Sequence, residues 1–487
     1  MVRKGRLESG FSPDRVRADL SLELSGQQMR AMVDQAMDRI VSHLMSLASQ
    51  PAGYDPTQVE PGPVNRELPT ESTDLDTLLG WLFQEAIPAS FNTAGPGYLA
   101  YIPGGGLFES AVADLISGSV NRYVGVWAAA PLLVRLEQEV MAWFARMMGL
   151  PPTARGILTT GGSMANFTAL VTARRERLPE NFLRGVIYTS TEAHHSVAKA
   201  ALLAGFPASS VVRLPTDEMF RMGSGDLGRA VQEDRARGRT PFLVVACAGT
   251  TNTGAVDHLE SLADLCARED LWLHVDAAYG GFFQLTAAGQ AILQGISRAD
   301  SITLDPHKGL FLPYGTGALL VRDGEALRRA HSLSAVYMPA LQDDEEGERV
   351  DFSEHGMELS RAFRGLRVWL PLKLHGVAPF IANLEEKMAL ARQAAQALER
   401  MDGIEIVAAP QLSTVVFRLV RSGLSPEELN GLNQRLLEAV LSRQRVLLTS
   451  TRLAGRLVIR ICVLGVRPHA DRIEECLEII RAEAARL

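Results

Sequence analysis

Between residues 156 and 322 the chain alternates short apolar runs with helical patterns, and this alternation limits the folds it can adopt. Most of the runs are continuous stretches of β-branched and aliphatic residues, which is typical of strands covered on both faces. Strands separated by helices predict an α/β domain with a mostly parallel, seven-stranded sheet. The predicted strands are residues 156–160, 185–189, 211–214, 242–248, 271–276, 301–304 and 317–322.

Residues 1–107 are predicted to form an N-terminal helical arm that serves dimerisation. Amphipathic helix patterns occupy 14–50 and a further one lies near 75–86, with a stretch rich in proline and glycine at 51–74 between them. A long arm that precedes any strand needs a surface to pack on, and a partner subunit is the natural candidate.

The rest of the chain is predicted to form two domains, a large α/β domain over 108–376 and a small α+β domain over 377–487. A helix with Pro131 in its first turn and Gly149 at its C-terminal cap opens the regular part of the large domain. Residues 364–403 have the pattern of a long helical hairpin, and the strands and helices of the small domain follow it.

Composition excludes several classes of partner. The 487 residues are 47% hydrophobic and 22% charged, with a net charge of −7 and no basic stripe, so we expect no nucleic-acid partner. No apolar run is long enough for a membrane span, and no apolar core follows the basic N-terminus as it would in a signal peptide. The four cysteines, which form no C-x-x-C pair and no metal-ligand cluster, indicate a reduced, cytoplasmic protein without a bound metal.

Three motifs follow predicted strands, at the edge where parallel sheets bind ligands. "TTGGSMANF" (159–167) brings two glycines and a serine to a helix start, which suits an anion but is also an ordinary turn. "TEAHHSVAKAA" (191–201) has two histidines that could also lie on the surface. "HVDAAYGG" (274–281) ends an apolar strand in Asp276, which could also be a helix cap or part of a core ion pair.

A fourth motif, "DPHKG" (305–309), places Lys308 in an otherwise apolar segment. Lys308 lies about one strand-helix-strand unit after Asp276, so the two are expected at neighbouring strand ends. Burial would lower the pKa of this lysine and make its amine a nucleophile toward a carbonyl substrate or an aldehyde cofactor. Such a cofactor needs a carboxylate for its ring nitrogen and a cradle for its phosphate, and both are present.

With these motifs in this order, the sequence resembles the pyridoxal-phosphate-dependent group II decarboxylases, the family of aromatic-L-amino-acid and glutamate decarboxylases. The resemblance extends from "YLAYIPGGG" (98–106) to "RLVIRICV" (456–463) and includes "AGTTNTGAVD" (248–257) and "FRGLRVWLPLKLHG" (363–376). It implies the fold of the aspartate aminotransferase superfamily, fold type I, with pyridoxal 5'-phosphate as cofactor, an amino acid as substrate and a homodimer as the assembly.

The resemblance also implies the cofactor site. Lys308 would hold the cofactor as an internal aldimine, Asp276 would pair with the pyridinium nitrogen, and His194 would stack on the ring opposite Ala278 and could carry a proton. The other implied cofactor residues are Gly162, Ser163 and His307 at the phosphate, Thr251 near the ring, and Asp305. The family often has Asn at the position of Asp305; because a phosphate would repel a carboxylate, Asp305 is expected to point elsewhere or to bond the backbone.

Four residues are implied at the substrate: Tyr101, Pro103, Phe352 and Arg460. Tyr101 and Pro103 belong to a segment that walls the pocket, and the segment 121–131 is expected to wall it from the neighbouring subunit. Arg460 would bind the substrate carboxylate, with a structural ion pair as the alternative. Phe352 aligns with the catalytic tyrosine of a mobile lid, residues 338–356, although His355 or Tyr337 could serve instead.

The predicted function is decarboxylation of an L-amino acid, with an aromatic one favoured, to the amine and CO₂ through a quinonoid carbanion. Because phenylalanine cannot donate a proton, an aldehyde synthase, which performs oxidative decarboxylation-deamination, is the main alternative. Another enzyme on the same cofactor, such as a desulfurase, would need a cysteine in the lid, and there is none. A catalytically silent protein of this fold is disfavoured because Lys308, Asp276 and His194 are all retained.

Overall fold

The computed structural model describes residues 22–333 and 349–487, apart from positions 56, 58, 61 and 63. Contacts between residues divide the chain into two units, Met1–Gln50 with Tyr54–Phe91 and Pro51–Gly53 with Asn92–Leu487. The second unit contains both sheets. The predicted division into three segments, with boundaries at 107 and 376, stays a prediction.

Within its described residues, the first unit contains the helices α1 (Gly26–Ser46) and α2 (Leu75–Trp81), and a π-helical turn follows α2. A capping box begins α1, since the Ser25 hydroxyl accepts from the Gln28 N–H and the Gln28 side chain accepts from the Ser25 N–H at 2.9 Å. Arg39 of α1 and Asp76 of α2 form an ion pair with a distance of 2.9 Å. The helical character expected of this part of the chain is therefore confirmed for its described residues.

Seven strands form the large sheet. They are β1 (Arg155–Thr159), β2 (Gly185–Ser190), β3 (Val211–Leu214), β4 (Thr240–Cys247), β5 (Trp272–Asp276), β6 (Ser301–Leu304) and β7 (Gly317–Val321). Their order is β1-β7-β6-β5-β4-β2-β3, and only β7 runs antiparallel to its neighbours. Strands β2, β5, β6 and β7 are buried at every residue, as their apolar sequences predict. The predicted sheet is confirmed in strand number and in its mostly parallel pairing.

The helices around the large sheet precede its first strand, lie between its strands or follow its last strand. They are α3 (Phe108–Val120), α4 (Pro131–Met147), α5 (Gly162–Arg177), α6 (Ser196–Leu203), α7 (Ser224–Ala236), α8 (Leu259–Glu269), α9 (Ala287–Ile292), α10 (Pro306–Gly309) and α11 (Gly324–His331). Pro131 occupies the first turn of α4 as predicted, and Gly149 after its end takes the left-handed conformation that glycine tolerates, with φ of 68°.

The C-terminal part forms a four-stranded antiparallel sheet with its own helices. Its strands are β8 (Ile404–Ala408), β9 (Thr414–Leu419), β10 (Thr449–Leu453) and β11 (Arg456–Cys462), in the order β10-β11-β9-β8. Its helices are α13 (Ala378–Glu399), α14 (Pro426–Ser442) and α15 (Ala470–Ala484). Both helices of the predicted hairpin form, but the first of them, α12 (Gly365–His375), packs on α3 and α4 beside the large sheet. Sequence analysis missed β10, because "TSTRL" is polar and pairs along one side only, as an edge strand.

None of the helices within the described residues combines the length and the apolar character that crossing a bilayer requires.

Candidate active site

A cavity of about 280 Å³ opens where β1, β5 and β6 end. The loops after these strands carry most of its lining, as expected for the carboxyl edge of a parallel sheet. Nine predicted cofactor residues lie together in its wall. They are Gly162, Ser163, His194, Thr251, Asp276, Ala278, Asp305, His307 and Lys308.

Lys308 lies on the short helix α10 and forms an ion pair with Asp305, with 2.8 Å between Nζ and Oδ2. Burial alone would lower the pKa of the Lys308 amine, but the attraction and hydrogen bond of Asp305 outweigh it and the pKa is raised. Two expectations are therefore corrected. The amine is not activated by a lowered pKa in this state, and Asp305 neither points away nor bonds the backbone, because it is the counter-ion of Lys308.

Asp276 is the last residue of β5, and its carboxylate is held by two donors. Its Oδ2 accepts from the Asn166 amide at 2.8 Å, and its Oδ1 accepts from the Ala278 N–H at 3.2 Å. The side chain is buried, so these hydrogen bonds replace the water that a carboxylate would otherwise require. A helix cap or a core ion pair, the alternatives for Asp276, do not describe this arrangement.

His194 lies just before α6 with one ring nitrogen engaged. Its Nδ1 accepts from the Ser196 N–H at 3.3 Å and lies 2.8 Å from the Ser196 hydroxyl. Burial lowers the pKa of His194, and the nearby Asp276 carboxylate offsets this only in part. The imidazole is therefore neutral near pH 7 and carries its proton on Nε2.

The glycine turn before α5 has the dimensions of an anion cradle. A Cβ on Gly162 would lie 3.0 Å from Oδ2 of Asp305 and 3.1 Å from the Ala278 Cβ, so only glycine fits without a shift. His307 donates from Nδ1 to the Thr316 carbonyl at 2.7 Å, which leaves its Nε2 free of that bond. Backbone N–H groups at a helix start, a serine and a histidine make a donor set that suits a phosphate group.

The residues present thus fit pyridoxal phosphate. The cavity wall contains the glycine turn with its serine and histidine donors, a buried carboxylate at the end of β5 and a lysine on α10. One oxygen of Asp305, Oδ1, is buried without a hydrogen-bond partner in the described structure. A bound molecule with a donor at this position would satisfy it.

The four predicted substrate residues do not line this cavity. Arg460 is buried on β11 and donates to the carbonyls of Thr251, Asn252 (2.8 Å) and Tyr101 (3.1 Å) and to the Thr449 hydroxyl (3.0 Å). Arg460 therefore binds the backbone of the loop that contains Thr251. It is neither free to bind a substrate carboxylate, as expected, nor, among the described residues, part of an ion pair, the alternative. Pro103 is buried beside Tyr101, which is half exposed.

Phe352 requires a correction, because the structure does not place it in a lid over the cavity. Its side chain is 1% exposed and packs in the core with Val350 and Phe363, under the guanidinium of Arg361 at 4.9 Å. His355, the first alternative, is buried as well. Tyr337, the second, and residues 338–348 of the predicted lid lie outside the described residues.

Several polar residues of the cavity were missed from the sequence, and Asn166 and Ser196 are the two that contact predicted site residues. Asn166 lies one helical turn after Gly162, so it shares the face of α5 that turns toward the site. Ser196 follows His194 by two residues. Their positions within "TTGGSMANF" and "TEAHHSVAKAA" were the available signal, but short polar residues at a helix start are also common caps.

Comparisons with known proteins agree with this geometry. Residues 56–420 match the family model described as the pyridoxal-dependent decarboxylase conserved domain. The chain is 36% identical to the aromatic-L-amino-acid decarboxylase of Bacillus atrophaeus, covering 95% of this chain and 97% of that protein.

Solved structures show the same fold. Tryptophan decarboxylase of Catharanthus roseus in complex with L-tryptophan superposes with a TM-score of 0.88 and 25% identity, covering 96% of this chain and 100% of that one. The 4-hydroxyphenylacetaldehyde synthase of Rhodiola rosea reaches a TM-score of 0.87 at 23% identity over 95% and 99% of the two chains, which concerns the fold alone. This chain therefore belongs to the pyridoxal-phosphate-dependent amino-acid decarboxylases, enzymes of the carboxy-lyase class with the type I fold.

Proposed function

We propose that this enzyme removes the carboxylate of an aromatic L-amino acid as CO₂ and releases the corresponding amine. The observation that carries the proposal is the cavity that unites Lys308, Asp276 and His194 with the glycine cradle before α5. The balance is simple, since the substrate loses CO₂ from its α-carbon and takes up one proton there.

Pyridoxal phosphate, when bound, supplies a protonated ring that withdraws the electrons of the broken C–C bond. Residues of this chain would orient that ring and keep its nitrogen protonated. Lys308 provides the amine that anchors the cofactor, and the Asp276 carboxylate stabilises a proton on the ring nitrogen. His194 presents a neutral imidazole whose Nε2–H is free of the Ser196 contacts.

The phosphate end is assigned to the cradle of Gly162, Ser163 and His307. Ala278 lies against the cradle, since its Cβ is 3.1 Å from the Cβ position of Gly162, and it is small enough to leave the ring face open. Thr251 is held by Arg460 through its carbonyl. We therefore propose that Arg460 positions the Thr251 loop.

An aromatic substrate is favoured by the names of similar proteins. The Bacillus atrophaeus relative is an aromatic-L-amino-acid decarboxylase, and the Catharanthus roseus structure holds L-tryptophan. Tyr101 and Tyr123 expose 52% and 41% of their surface, so aromatic side chains are available near the segments expected to wall the substrate pocket.

The aldehyde synthase alternative loses its main argument. It depended on Phe352 replacing the proton donor of the lid, and Phe352 is buried in the core of its own subunit. The resemblance to the Rhodiola rosea enzyme concerns the fold, which the two reactions share, and does not distinguish between them. A desulfurase is disfavoured further, since all four cysteines are buried.

We also propose a cytoplasmic homodimer. Leu115, Ile116 and Val120 of α3 expose between 43% and 47% of their surface, which is costly for a helix in water and typical of an interface. Tyr123 and Leu359 are exposed as well, and a hydrogen bond of 2.8 Å runs from the tyrosine hydroxyl to the leucine carbonyl. The four unpaired thiols are compatible with a reducing compartment.

The reaction is tested by incubating the holoenzyme with single L-amino acids and measuring CO₂, amine, ammonia and hydrogen peroxide. We expect CO₂ and amine in equal amounts from an aromatic amino acid, without ammonia or peroxide. Ammonia and peroxide in step with CO₂ would instead establish the aldehyde synthase, and release from non-aromatic amino acids alone would overturn the substrate class. Lys308→Ala is the matched inactive control.

A further inference from the structure

Asn166 is the centre of a buried hydrogen-bond network that joins two functional side chains. Its amide nitrogen lies 2.8 Å from Oδ2 of Asp276 and 3.0 Å from the Ser196 hydroxyl. Its amide oxygen accepts from the Thr303 hydroxyl at 2.7 Å and lies 3.0 Å from Nε2 of His274. All these side chains are buried, so the network is insulated from water.

The orientation of the Asn166 amide follows from its partners. The opposite orientation would place the amide oxygen 2.8 Å from a carboxylate oxygen of Asp276, where neither atom can donate. His274 must then donate from Nε2. Burial keeps this imidazole neutral by lowering its pKa to about 4, so its Nδ1 accepts from the Ser301 hydroxyl at 2.8 Å.

The far end of the network supports one tautomer of His194. The Ser196 hydroxyl oxygen accepts from Asn166, so its hydrogen is free to point to Nδ1 of His194 at 2.8 Å. The Ser196 N–H donates to the same nitrogen at 3.3 Å. Both donors converge on Nδ1, which leaves the proton of His194 on Nε2.

We propose that Asn166 is a positioning residue that couples Asp276 with His194. One amide group donates to the carboxylate assigned to the ring nitrogen and, through Ser196, holds the stacking imidazole in the Nε2–H tautomer. This inference rests on the proposed function, because it concerns the roles that were assigned there to Asp276 and His194. It explains why a helix that begins with an anion cradle also contains a buried asparagine one turn later.

The first test replaces Asn166 by Asp, which keeps the shape and replaces the donor by an acceptor. A second carboxyl oxygen would then lie against Asp276, so the Asp276 carboxylate would become a weaker partner for the ring nitrogen. The Ser196 hydroxyl would turn toward residue 166. We expect the dissociation constant of pyridoxal phosphate from the holoenzyme to rise about 10- to 100-fold, the range known for supporting residues of metal sites. We also expect the ¹⁵N signal of Nδ1 of His194 in the apoprotein to shift, because the Ser196 hydroxyl no longer donates to it while the Ser196 N–H still does.

A second variant separates the two arms of the network. Ser196→Ala removes the hydroxyl that links Asn166 to His194 but leaves the hydrogen bond from Asn166 to Asp276. It is expected to disturb the His194 ¹⁵N pattern while the cofactor dissociation constant changes less than about threefold, under 1 kcal/mol. This variant keeps the proposal testable if Asn166→Asp does not fold.

Thr172→Val is the matched control, because Thr172 is a buried polar residue of the same helix that contacts Thr168 and His331 instead. The proposal is overturned if Asn166→Asp leaves both the His194 signals and the cofactor dissociation constant unchanged, or if Thr172→Val alters them equally. His194→Gln assigns the signals. Because the ¹⁵N measurement uses apoprotein without substrate, a failure to release CO₂ would refute the proposed function without changing this result.

Discussion

At the scale of single residues, the ion pair of Asp305 and Lys308 sets the charge of the amine that would anchor the cofactor. The carboxylate lies 2.8 Å from the amine and raises its pKa, so the free lysine is an ammonium ion over a wide pH range. An ammonium ion is not a nucleophile. Asp305 therefore delays the reaction of Lys308 with an aldehyde until the proton leaves.

Replacing Asp305 by Asn should move cofactor capture to lower pH. Without the carboxylate the burial of Lys308 dominates and lowers the pKa of its amine, so more of the amine is neutral at a given pH. Each pKa unit corresponds to about tenfold more neutral amine well below the pKa. We expect the rate at which visible absorbance appears after mixing apoprotein with cofactor to reach its half-maximum at a lower pH in the variant.

Several charged or titratable groups face Lys308 besides Asp305, namely Asp276, His307, His194 and Cys462. These groups remain in Asp305→Asn, so the change in the pH of the half-maximal rate reports the effect of the Asp305 carboxylate alone. Asp323→Asn, at the exposed N-terminal cap of α11, is the control that changes net charge equally. A half-maximum that stays in place or moves to higher pH would refute this role of Asp305.

At the scale of elements, the site depends on where helices begin. Helix α5 begins at Gly162 and α10 at Pro306, and both follow strands of the large sheet without a long loop. The close approach of the two turns leaves 3.0 Å between the Cβ position of Gly162 and Asp305 Oδ2. The start of α5 is thus constrained by a neighbour on another strand end.

Gly162→Val should weaken cofactor binding, because it changes the turn that forms the proposed phosphate cradle. The added atoms would enter the space of Asp305 and Ala278, and overpacking of this kind costs about 1–3 kcal/mol. We expect the cofactor dissociation constant to rise more than tenfold, measured by titrating the apoprotein. Gly228→Ala on α7 is the control, since its Cβ would meet only Leu265 at 3.8 Å, and unchanged binding in Gly162→Val would contradict the cradle.

At the scale of the whole molecule, the exposed apolar surface of α3 bears on assembly. The chain of 52.9 kDa leaves the apolar side chains of Leu115, Ile116 and Val120 exposed, and association with a second chain would bury them. Residues 121–131 are expected to wall the substrate pocket of a neighbouring subunit. Activity would then depend on assembly.

Light scattering after gel filtration should give about twice the chain mass, and Ile116→Glu should shift the protein toward the single-chain mass because a carboxylate cannot be buried unpaired. We expect cofactor retention to fall together with the dimer. Leu183→Glu, at a residue that is 57% exposed ahead of β2, is the control. A single-chain mass for the unmodified protein would refute the homodimer.

The sequence alone determined the sheet, the strand-end location of Lys308 and Asp276, and the glycine cradle. These features are encoded locally, because apolar runs mark buried strands and the residues that follow them lie at one edge of the sheet. Asn433 of α14 illustrates what such local patterns do not show. Its side chain forms hydrogen bonds with the backbone of Leu419 on a neighbouring strand, and nothing near it in sequence indicates this.

Only the tertiary structure decided the partners of these residues. Asn166 lies 110 positions before Asp276 in sequence but 2.8 Å from it in space, and Phe352 aligned with a lid position but packs in the core. The polar strand β10 was likewise recognisable only by its pairing with β11. Hydrogen-bond partners and burial depend on contacts between distant segments, and a linear pattern does not record which segments meet.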